Sequence, residues 1–334
     1  MVALSKKKYW LGFDLGGTKM MAIVFNESFK KISSERNKTM VYEGKKAVLE
    51  RILKTINMAL QQAGISIKHV HGVGIGCPGP IDITNGIVIN APNLGWKRFP
   101  IKEYLKNKLG CQVVVINDVD AAVYGEYRFG SAKGACCAVG MFPGTGVGGG
   151  CVYQGKILAG KLISAFEIGH IQVIPRGPLC GCGQRGCLEA VASRLAVSAS
   201  VAAAAYRGEA PTIIKNTGMD LGNISSQVLL EAVNAGDKVV KEIILEAAHW
   251  LGIGVAMVVH LICPDIIVLG GGLVEASPEL FCKEVLKTAS SRVMKLYRNE
   301  FKVVLASLGD DATAMGAAAW AREILHPFQL QISG

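Results

Sequence analysis

The sequence predicts an α/β fold in two lobes, and three observations carry that prediction. Short apolar runs alternate with helix-length amphipathic stretches along the chain, the pattern of sheets covered by helices. A unit of strand, glycine turn and strand occupies residues 9–25 and recurs at 136–158, which reads as two related halves. The 334 residues are enough for about two domains.

The elements follow in order. Residues 9–13 are apolar, then comes the turn Asp14-Leu15-Gly16-Gly17-Thr18-Lys19, then a second apolar run over 20–25. No helix signal follows these glycines, so the segment reads as a strand, a tight turn and a strand. Residues 45–63 repeat apolar side chains at helical spacing and stop at Gly64. Residues 70–75 are a strand entering the stiff loop Gly76-Cys77-Pro78-Gly79-Pro80, and 113–116 are a buried strand ending at Asn117-Asp118. A helix is expected over 121–129. The opening unit then recurs as a strand over 136–142, a glycine-dense turn over 144–150 and a strand over 151–158. Further helices are expected over 189–206, 226–262, 278–292 and 313–325, with strands over 266–269 and 303–306.

Composition excludes several classes. Half of the residues are apolar and 19% are charged, which rules out a disordered or collagen-like chain. Ten cysteines without a secretion signal read as thiols of a reduced, cytoplasmic protein rather than as a disulfide framework. The apolar stretch 247–262 is interrupted by His249 and His260 and is shorter than the ~18 residues of a spanning helix. It reads as a buried helix, and no membrane partner is expected. The net charge of +10 sits in the first third, where residues 1–110 carry 18 Lys/Arg against 7 Asp/Glu. Most of those lysines lie outside the motifs, at 6–8, 30–31, 45–46 and 102–108, and the charge reads mainly as a solvated face.

Several motifs carry chemistry. Gly144-Thr145-Gly146-Val147-Gly148-Gly149-Gly150 contains a G-x-G-x-x-G match, but a strand resumes after it where a dinucleotide fold needs a helix. Its freed backbone N–H groups suit phosphate oxygens, as do those of Gly16 and Gly17. Asp14 adds a carboxylate suited to Mg²⁺, and Thr18 a hydroxyl that can donate to phosphate. Gly270, Gly271 and Gly272, between a strand and a helix-like stretch, suit the base and ribose of a nucleotide. Asp118 either takes a proton from a hydroxyl that attacks a phosphoryl group or caps the helix that follows. His170, Cys180, Cys182 and Cys187 make a complete tetrahedral zinc set, structural because protein fills all four positions. Glu167 and Glu189 bracket that cluster and suit the hydroxyls of a sugar. Cysteines 77, 111, 136, 137, 151, 263 and 282 show no ligand spacing and read as core thiols.

Taken together, the chain resembles the ROK family (repressors, open reading frames, kinases), and within it the ATP-dependent glucokinases, from about residue 11 to about 319. The matching segments are Phe13 to Lys19, Gly76 to Pro80, Ala91-Pro92-Asn93-Leu94-Gly95-Trp96, Asn117-Asp118, and Gly144 to Gly150. The most specific is Glu167-Ile168-Gly169-His170 followed by Cys180-Gly181-Cys182-Gly183-Gln184-Arg185-Gly186-Cys187-Leu188-Glu189. The resemblance implies the two-lobed hexokinase/actin-like ATPase fold, with duplicated ribonuclease H-like lobes closing on sugar and MgATP. Residues 1–118 plus about 310–334 would be the small lobe, and 119–309 the large lobe with its zinc loop. It makes Asp118 the general base toward the sugar 6-hydroxyl. Asn117, Asp118, Glu167, His170 and Glu189 would contact sugar hydroxyls, with Gly79 lining the pocket. His170 would hold zinc with one ring nitrogen and face the sugar with the other. Asp14, Gly16, Gly17, Thr18, Gly144, Thr145, Gly146 and Gly148 would bind phosphates, and Gly270–Gly272 the adenosine end.

The sequence departs from many relatives where Lys161-Leu162-Ile163-Ser164-Ala165-Phe166 replaces a more glycine-rich run, and where Pro143 precedes the second phosphate turn. The expected function is phosphorylation of a hexose at its 6-hydroxyl, glucose first. Kinases for N-acetylglucosamine, N-acetylmannosamine, fructose or mannose remain alternatives, as does polyphosphate as donor. A sugar-responsive repressor, the family's other class, carries a DNA-binding domain ahead of the first phosphate turn. The dozen or so residues before Asp14 leave no room for one, so no nucleic-acid partner is expected. Relatives imply a homo-oligomer, dimer or tetramer.

Overall fold

The structure, a computed structural model, describes residues 8–161, 166–218 and 220–327. The chain divides into two compact units. One holds the described residues up to Gly134, those of Gly155–Ala165 and those from Ser307 onward; the other holds Ala135–Gln154 and the described residues of Phe166–Ala306.

The first unit begins with the antiparallel strands β1 (Tyr9–Leu15), β2 (Lys19–Asn26) and β3 (Lys31–Lys38). Helix α1 (Lys45–Gln62) buries Val48, Ile52, Ile56 and Ala59, the stripe its periodicity foretold. Strand β4 (Val70–Cys77) runs parallel to β1. A small sheet of β5 (Ile81–Asp82), β6 (Ile87–Ala91) and β7 (Trp96–Phe99) and helix α2 (Ile101–Leu109) lead to β8 (Val113–Asn117), parallel to β4. The main sheet order is β3-β2-β1-β4-β8.

Helix α3 (Asp118–Phe129) follows β8 directly. A boundary at residue 118 assigns this helix to the second lobe, whereas the structure keeps it in the first unit. The reason is packing against the last helix, α11 (Ala312–Leu325), where a Cβ on Gly316 would lie 1.7 Å from the Ala121 carbonyl oxygen. The same helix lies on the sheet. A Cβ on Gly12 or Gly74 would come within 1.9 Å of the carbonyl oxygen of Ala314 or Ala317. These glycines set how closely α11 seats, because any side chain there would push the helix off the sheet. The lysines at 30, 31, 45, 46, 106 and 108 are exposed, as expected of a solvated face.

The second unit opens with the antiparallel pair β9 (Cys137–Pro143) and β10 (Val147–Tyr153); β11 (Lys156–Ile157) belongs to the first unit. Strands β12 (Ile266–Leu269) and β13 (Lys302–Leu305) add to β9 in parallel, giving the order β10-β9-β12-β13. That is the order β2-β1-β4-β8 of the first unit again: a hairpin, then two parallel strands. The recurrence read from the sequence is therefore a recurrence of topology.

Two expected helices are each interrupted. Residues 189–206 form α4 (Glu189–Ala192) and α5 (Arg194–Tyr206), separated by Ser193, whose hydroxyl accepts from the Ala196 N–H and caps α5. Helix α6 (Pro211–Thr217) follows. Residues 226–262 form α7 (Ser226–Asn234) and α8 (Lys238–Ile262), parted at Gly236, which has φ 85°, and at the cap Asp237. Helix α8 is long and apolar enough to cross a membrane, yet it buries Ile244, Leu251, Val255 and Val259 in the core of this unit. Helices α9 (Gly272–Ala276) and α10 (Pro278–Arg292) complete the unit.

Candidate active site

In the first unit, three parallel strands end at one edge of the sheet, the place where open α/β sheets bind ligands. Asp14 of β1 pairs with Gly76 of β4, and Cys77 of β4 pairs with Asn117 of β8. This register brings together the turn at 16–18, the loop at 78–80 and the start of α3. The turn is closed by the Gly16 N–H donating to the Lys19 carbonyl at 3.0 Å. Buried Thr39 holds it from outside: its hydroxyl donates to the Gly16 carbonyl at 2.7 Å and its N–H to the Thr18 carbonyl at 2.8 Å. Asn117, not Asp118, caps α3, accepting from the Val119 and Asp120 N–H groups, while its Nδ2 donates to the Gly79 carbonyl at 3.1 Å. Asp118 is the first residue of the helix, where the positive end of the helix dipole favours a carboxylate.

The electrostatics of this edge are unusual at Asp14. Loss of solvent, then the Asp118 carboxylate, push its carboxyl from 3.8 up to about 7, with Lys19 pulling the other way. Beside it, Asp310 accepts from Lys19 Nζ at 2.9 Å and from an Arg36 nitrogen at 2.7 Å, and these partners hold Asp310 below the usual carboxylate range. Buried Cys77 is pushed up by desolvation, with smaller contributions from Asp118 and Asp14.

In the second unit, the parallel strands β9 and β12 likewise lead into glycines, β9 running two residues past the Leu269–Met141 pair before Gly144 and β12 passing straight into Gly270. The Gly270 N–H donates to the Met141 carbonyl at 3.3 Å. A Cβ on Gly270 would strike the Phe142 ring at 2.5 Å, and Gly271, at φ 86°, would carry one 2.9 Å from the Pro143 carbonyl oxygen. The second glycine turn is shorter than the sequence reading has it. Strand β10 begins at Val147, so Gly148 is paired with Phe142 inside the sheet and the turn is confined to 144–146. The strand glycines serve close packing: a Cβ on Gly149 would lie 2.3 Å from Ile168 Cγ2, in the short 3₁₀ turn that carries His170. Arg194 fixes the turn, its N–H donating to the Gly144 carbonyl at 2.8 Å and its guanidinium to Thr145 Oγ1 at 3.2 Å. This anchor explains why α5 starts anew at residue 194. An open cavity of about 760 Å³ in this unit has Leu230, Val233, Leu245, Leu280 and Ala276, the last residue of α9, in its lining.

The four sulfur and nitrogen ligands gather as their spacing predicts. The donor atoms of His170, Cys180, Cys182 and Cys187 lie within 4.8 Å of one another. Cys180 Sγ is 3.7 Å from His170 Nδ1, and Cys182 Sγ is 3.7 Å from Cys187 Sγ. Ligands about 2.3 Å from a tetrahedral zinc stand about 3.8 Å apart, so the donor set fits that ion. Cys180 and Cys187 are buried, whereas His170 and Cys182 are exposed. Burial pushes the Cys180 thiol up to about 12, a proton that an incoming metal must displace. Glu189, the first residue of α4, accepts from the Val147 N–H at 3.1 Å with one oxygen, and its other oxygen is 3.5 Å from Cys180 Sγ. Glu167 is exposed just ahead of the 168–170 turn.

A model of the ROK family matches residues 10–324. The chain belongs to the ROK family. It has the α/β fold of the ROK sugar kinases. It is 33% identical to the glucokinase of Thermotoga maritima over 314 residues, which are 94% of this chain and 97% of that one. It is 34% identical to the glucokinase of Streptomyces coelicolor over 319 residues, again 94% of this chain and 97% of that one. The crystal structure of a ROK family glucokinase from Streptomyces griseus, in complex with glucose and AMPPNP, matches with a TM-score of 0.83 at 33% identity, covering 94% of this chain and 99% of that chain.

Around the glycine turns and Asp118 of this ROK chain, in each unit by itself, stand residues that sequence reasoning missed. Thr39, Arg36, Asp310, Thr313 and Arg194 are remote in sequence from the glycine motifs they hold. Strand pairing brings Thr39 and Arg36 near, the return of the last helix brings Asp310 and Thr313, and the start of α5 brings Arg194 to Gly144. Thr313 Oγ1 donates to the Asp118 carbonyl at 3.5 Å. Of the departure before Glu167, Leu162 to Ala165 lie outside the described residues, as do Lys6 and Lys7 of the basic start. Phe166 is described and has φ 72°, a backbone conformation that favours glycine.

Proposed function

We propose that this protein is an ATP-dependent hexose kinase of the glucokinase type, transferring the terminal phosphoryl group of MgATP to the 6-hydroxyl of glucose. The observation that carries the reading is the convergence of Asp14, the 16–18 turn and Asp118 on one sheet edge of the first unit. Identity of 33–34% to glucokinases along nearly the whole chain supports glucose as the substrate. The duplicated strand order supports reading each unit as a ribonuclease H-like lobe of the hexokinase/actin-like fold.

In this reading Asp118 accepts the proton of the sugar 6-hydroxyl as that oxygen bonds to the terminal phosphorus. The bond from that phosphorus to the bridging oxygen breaks, and ADP leaves. Phosphoryl transfer needs mainly positioning and charge stabilisation. The Gly16 and Gly144 N–H groups close their own turns on the Lys19 and Gly146 carbonyls, so the donors to phosphate oxygens are the N–H groups of Gly17, Thr18, Thr145 and Gly146, and Thr18 adds a hydroxyl. Asp14 is the residue suited to hold Mg²⁺, directly or through water; bound there, the ion would offset phosphate charge. Gly270, Gly271 and Gly272 take the adenosine end. Asn117 keeps Gly79 in place along the sugar pocket, and Glu167, His170 and Glu189 bind sugar hydroxyls.

Zinc, held by His170 Nδ1 and three thiolates, has a structural role in this reading. With Nδ1 so engaged, the imidazole of His170 would be fixed in orientation and its Nε2, on the opposite edge, would face the sugar. The test is a panel of glucose, mannose, fructose, N-acetylglucosamine and N-acetylmannosamine with MgATP or polyphosphate, read by phosphorylated product. Glucose with ATP is expected to give the highest kcat/KM. Preference for an N-acetylated sugar or for polyphosphate would overturn that assignment.

A further inference from the structure

Glu126 is fully buried in the last turn of α3, two turns beyond Asp118, and lies outside the reaction described above. Its Oε1 accepts from the N–H groups of Ser307 and Leu308, each at 2.8 Å. Its Oε2 accepts from the Ser131 N–H at 2.8 Å, the Ser131 hydroxyl at 3.1 Å and the Ser307 hydroxyl at 3.0 Å. These five donors are uncharged, and they saturate a carboxylate, which offers about four lone-pair sites and no proton of its own. Three of the five are backbone N–H groups, which can only donate, so both oxygens serve as acceptors.

The gripped segment is the point at which the chain returns to the first unit. Immediately after it comes Asp310, which takes Lys19 and Arg36, then Asp311, which pairs with Lys31 at 2.8 Å, then Thr313 against the Asp118 carbonyl. One side chain on α3 thus sets the path of the residues that surround Asp14 and Asp118.

We infer that Glu126 is a positioning residue for the phosphate-handling edge: by clamping Ser307 and Leu308 it places Asp310 on Lys19 and Arg36. The kinetic part of this inference rests on the kinase reading, but its structural part does not. The substitution Glu126→Gln keeps the shape and sets an amide NH₂ against N–H donors in either orientation. Two measurements test it on the full-length protein.

The first follows the Asp310 carboxyl by NMR titration, which needs no activity. In Glu126→Gln its pKa should move up toward the ordinary aspartate value, because Lys19 and Arg36 are no longer held to it. The second is a kinetic cycle of Glu126→Gln and Asp310→Asn. Each alone should lower kcat/KM for ATP by about 10–100-fold, the scale of a misplacement near 1 Å, with the KM for glucose within about two-fold. The double variant should be no worse than the weaker single by more than about two-fold, since both act through one contact. An unmoved Asp310 titration, or losses that multiply in the double variant, would overturn the inference. If Glu126→Gln does not fold, Glu126→Asp, which keeps the charge but withdraws it by one methylene, replaces it in both measurements. Absence of kinase activity in the unsubstituted protein would count against the kinase reading, and the titration would still decide the role of Glu126.

Discussion

Glu189 accepts the N–H of Val147 at 3.1 Å and with its second oxygen stands 3.5 Å from Cys180 Sγ. One carboxylate thus ties the end of the second glycine turn to the cysteine–histidine cluster. Gly146 leaves it room, since a Cβ there would lie 2.2 Å from Glu189 Oε2. Glu189→Ala should therefore loosen the turn and the cluster together, lowering kcat/KM for both glucose and ATP by about 10²-fold. Glu189→Gln, which keeps an oxygen for Val147, should retain the ATP KM better than the alanine variant. Steady-state kinetics on both substrates check this.

The cysteine–histidine cluster yields a second prediction. Elemental analysis of protein purified without chelators should find about one zinc per chain. Cys182→Ser removes one of four ligands from an exposed position, so it opens no core cavity. It should lower zinc content several-fold and weaken glucose binding, because binding of a structural ion and local folding are coupled. A zinc-free protein with full glucose affinity would contradict this.

Asp14 gives a prediction in pH. Its folded-state pKa of about 7 lies above the ordinary 3.8. Between those values the folded chain binds more protons than the unfolded one, so stability falls as pH rises across the window and stays lowered above it. Asp14→Asn removes the charge and should match the unsubstituted protein near pH 3.5. At pH 8 it should be more stable, by up to about 4 kcal/mol, while losing MgATP-dependent turnover. Urea unfolding at the two pH values measures the difference, and equal stabilities at pH 8 would show that Asp14 is not desolvated.

Where patterns are local, the sequence was legible. Strand β12 and helix α10 fall on their expected residues, since apolar runs and a proline at the helix start define them. The cysteine–histidine cluster was legible because its ligands lie within one short, glycine-rich stretch. Strand β3, Lys-Ile-Ser-Ser-Glu-Arg-Asn-Lys, was not, because it is polar and largely solvated along its length. The breaks at Ser193 and Gly236 were hidden inside long apolar periodicities. A serine and a glycine stand within many helices, and only the tie of Arg194 to Gly144 shows why the chain must turn at the first. Among the candidate site residues, Gly16, Gly17 and Asp118 stand in short local motifs that can be read without the fold. Thr39, Asp310 and Glu126 do not, because their roles depend on pairings far along the chain.

The central claim is that Asp118 is the base of a sugar phosphorylation. It is tested most directly by comparing Asp118→Asn with the unsubstituted protein in two assays: turnover of glucose with MgATP, and equilibrium binding of glucose alone. The predicted result is a loss in kcat of about 10²–10⁴-fold with the glucose Kd changed less than about three-fold. A variant that turns over within ten-fold of the unsubstituted protein would contradict the assignment.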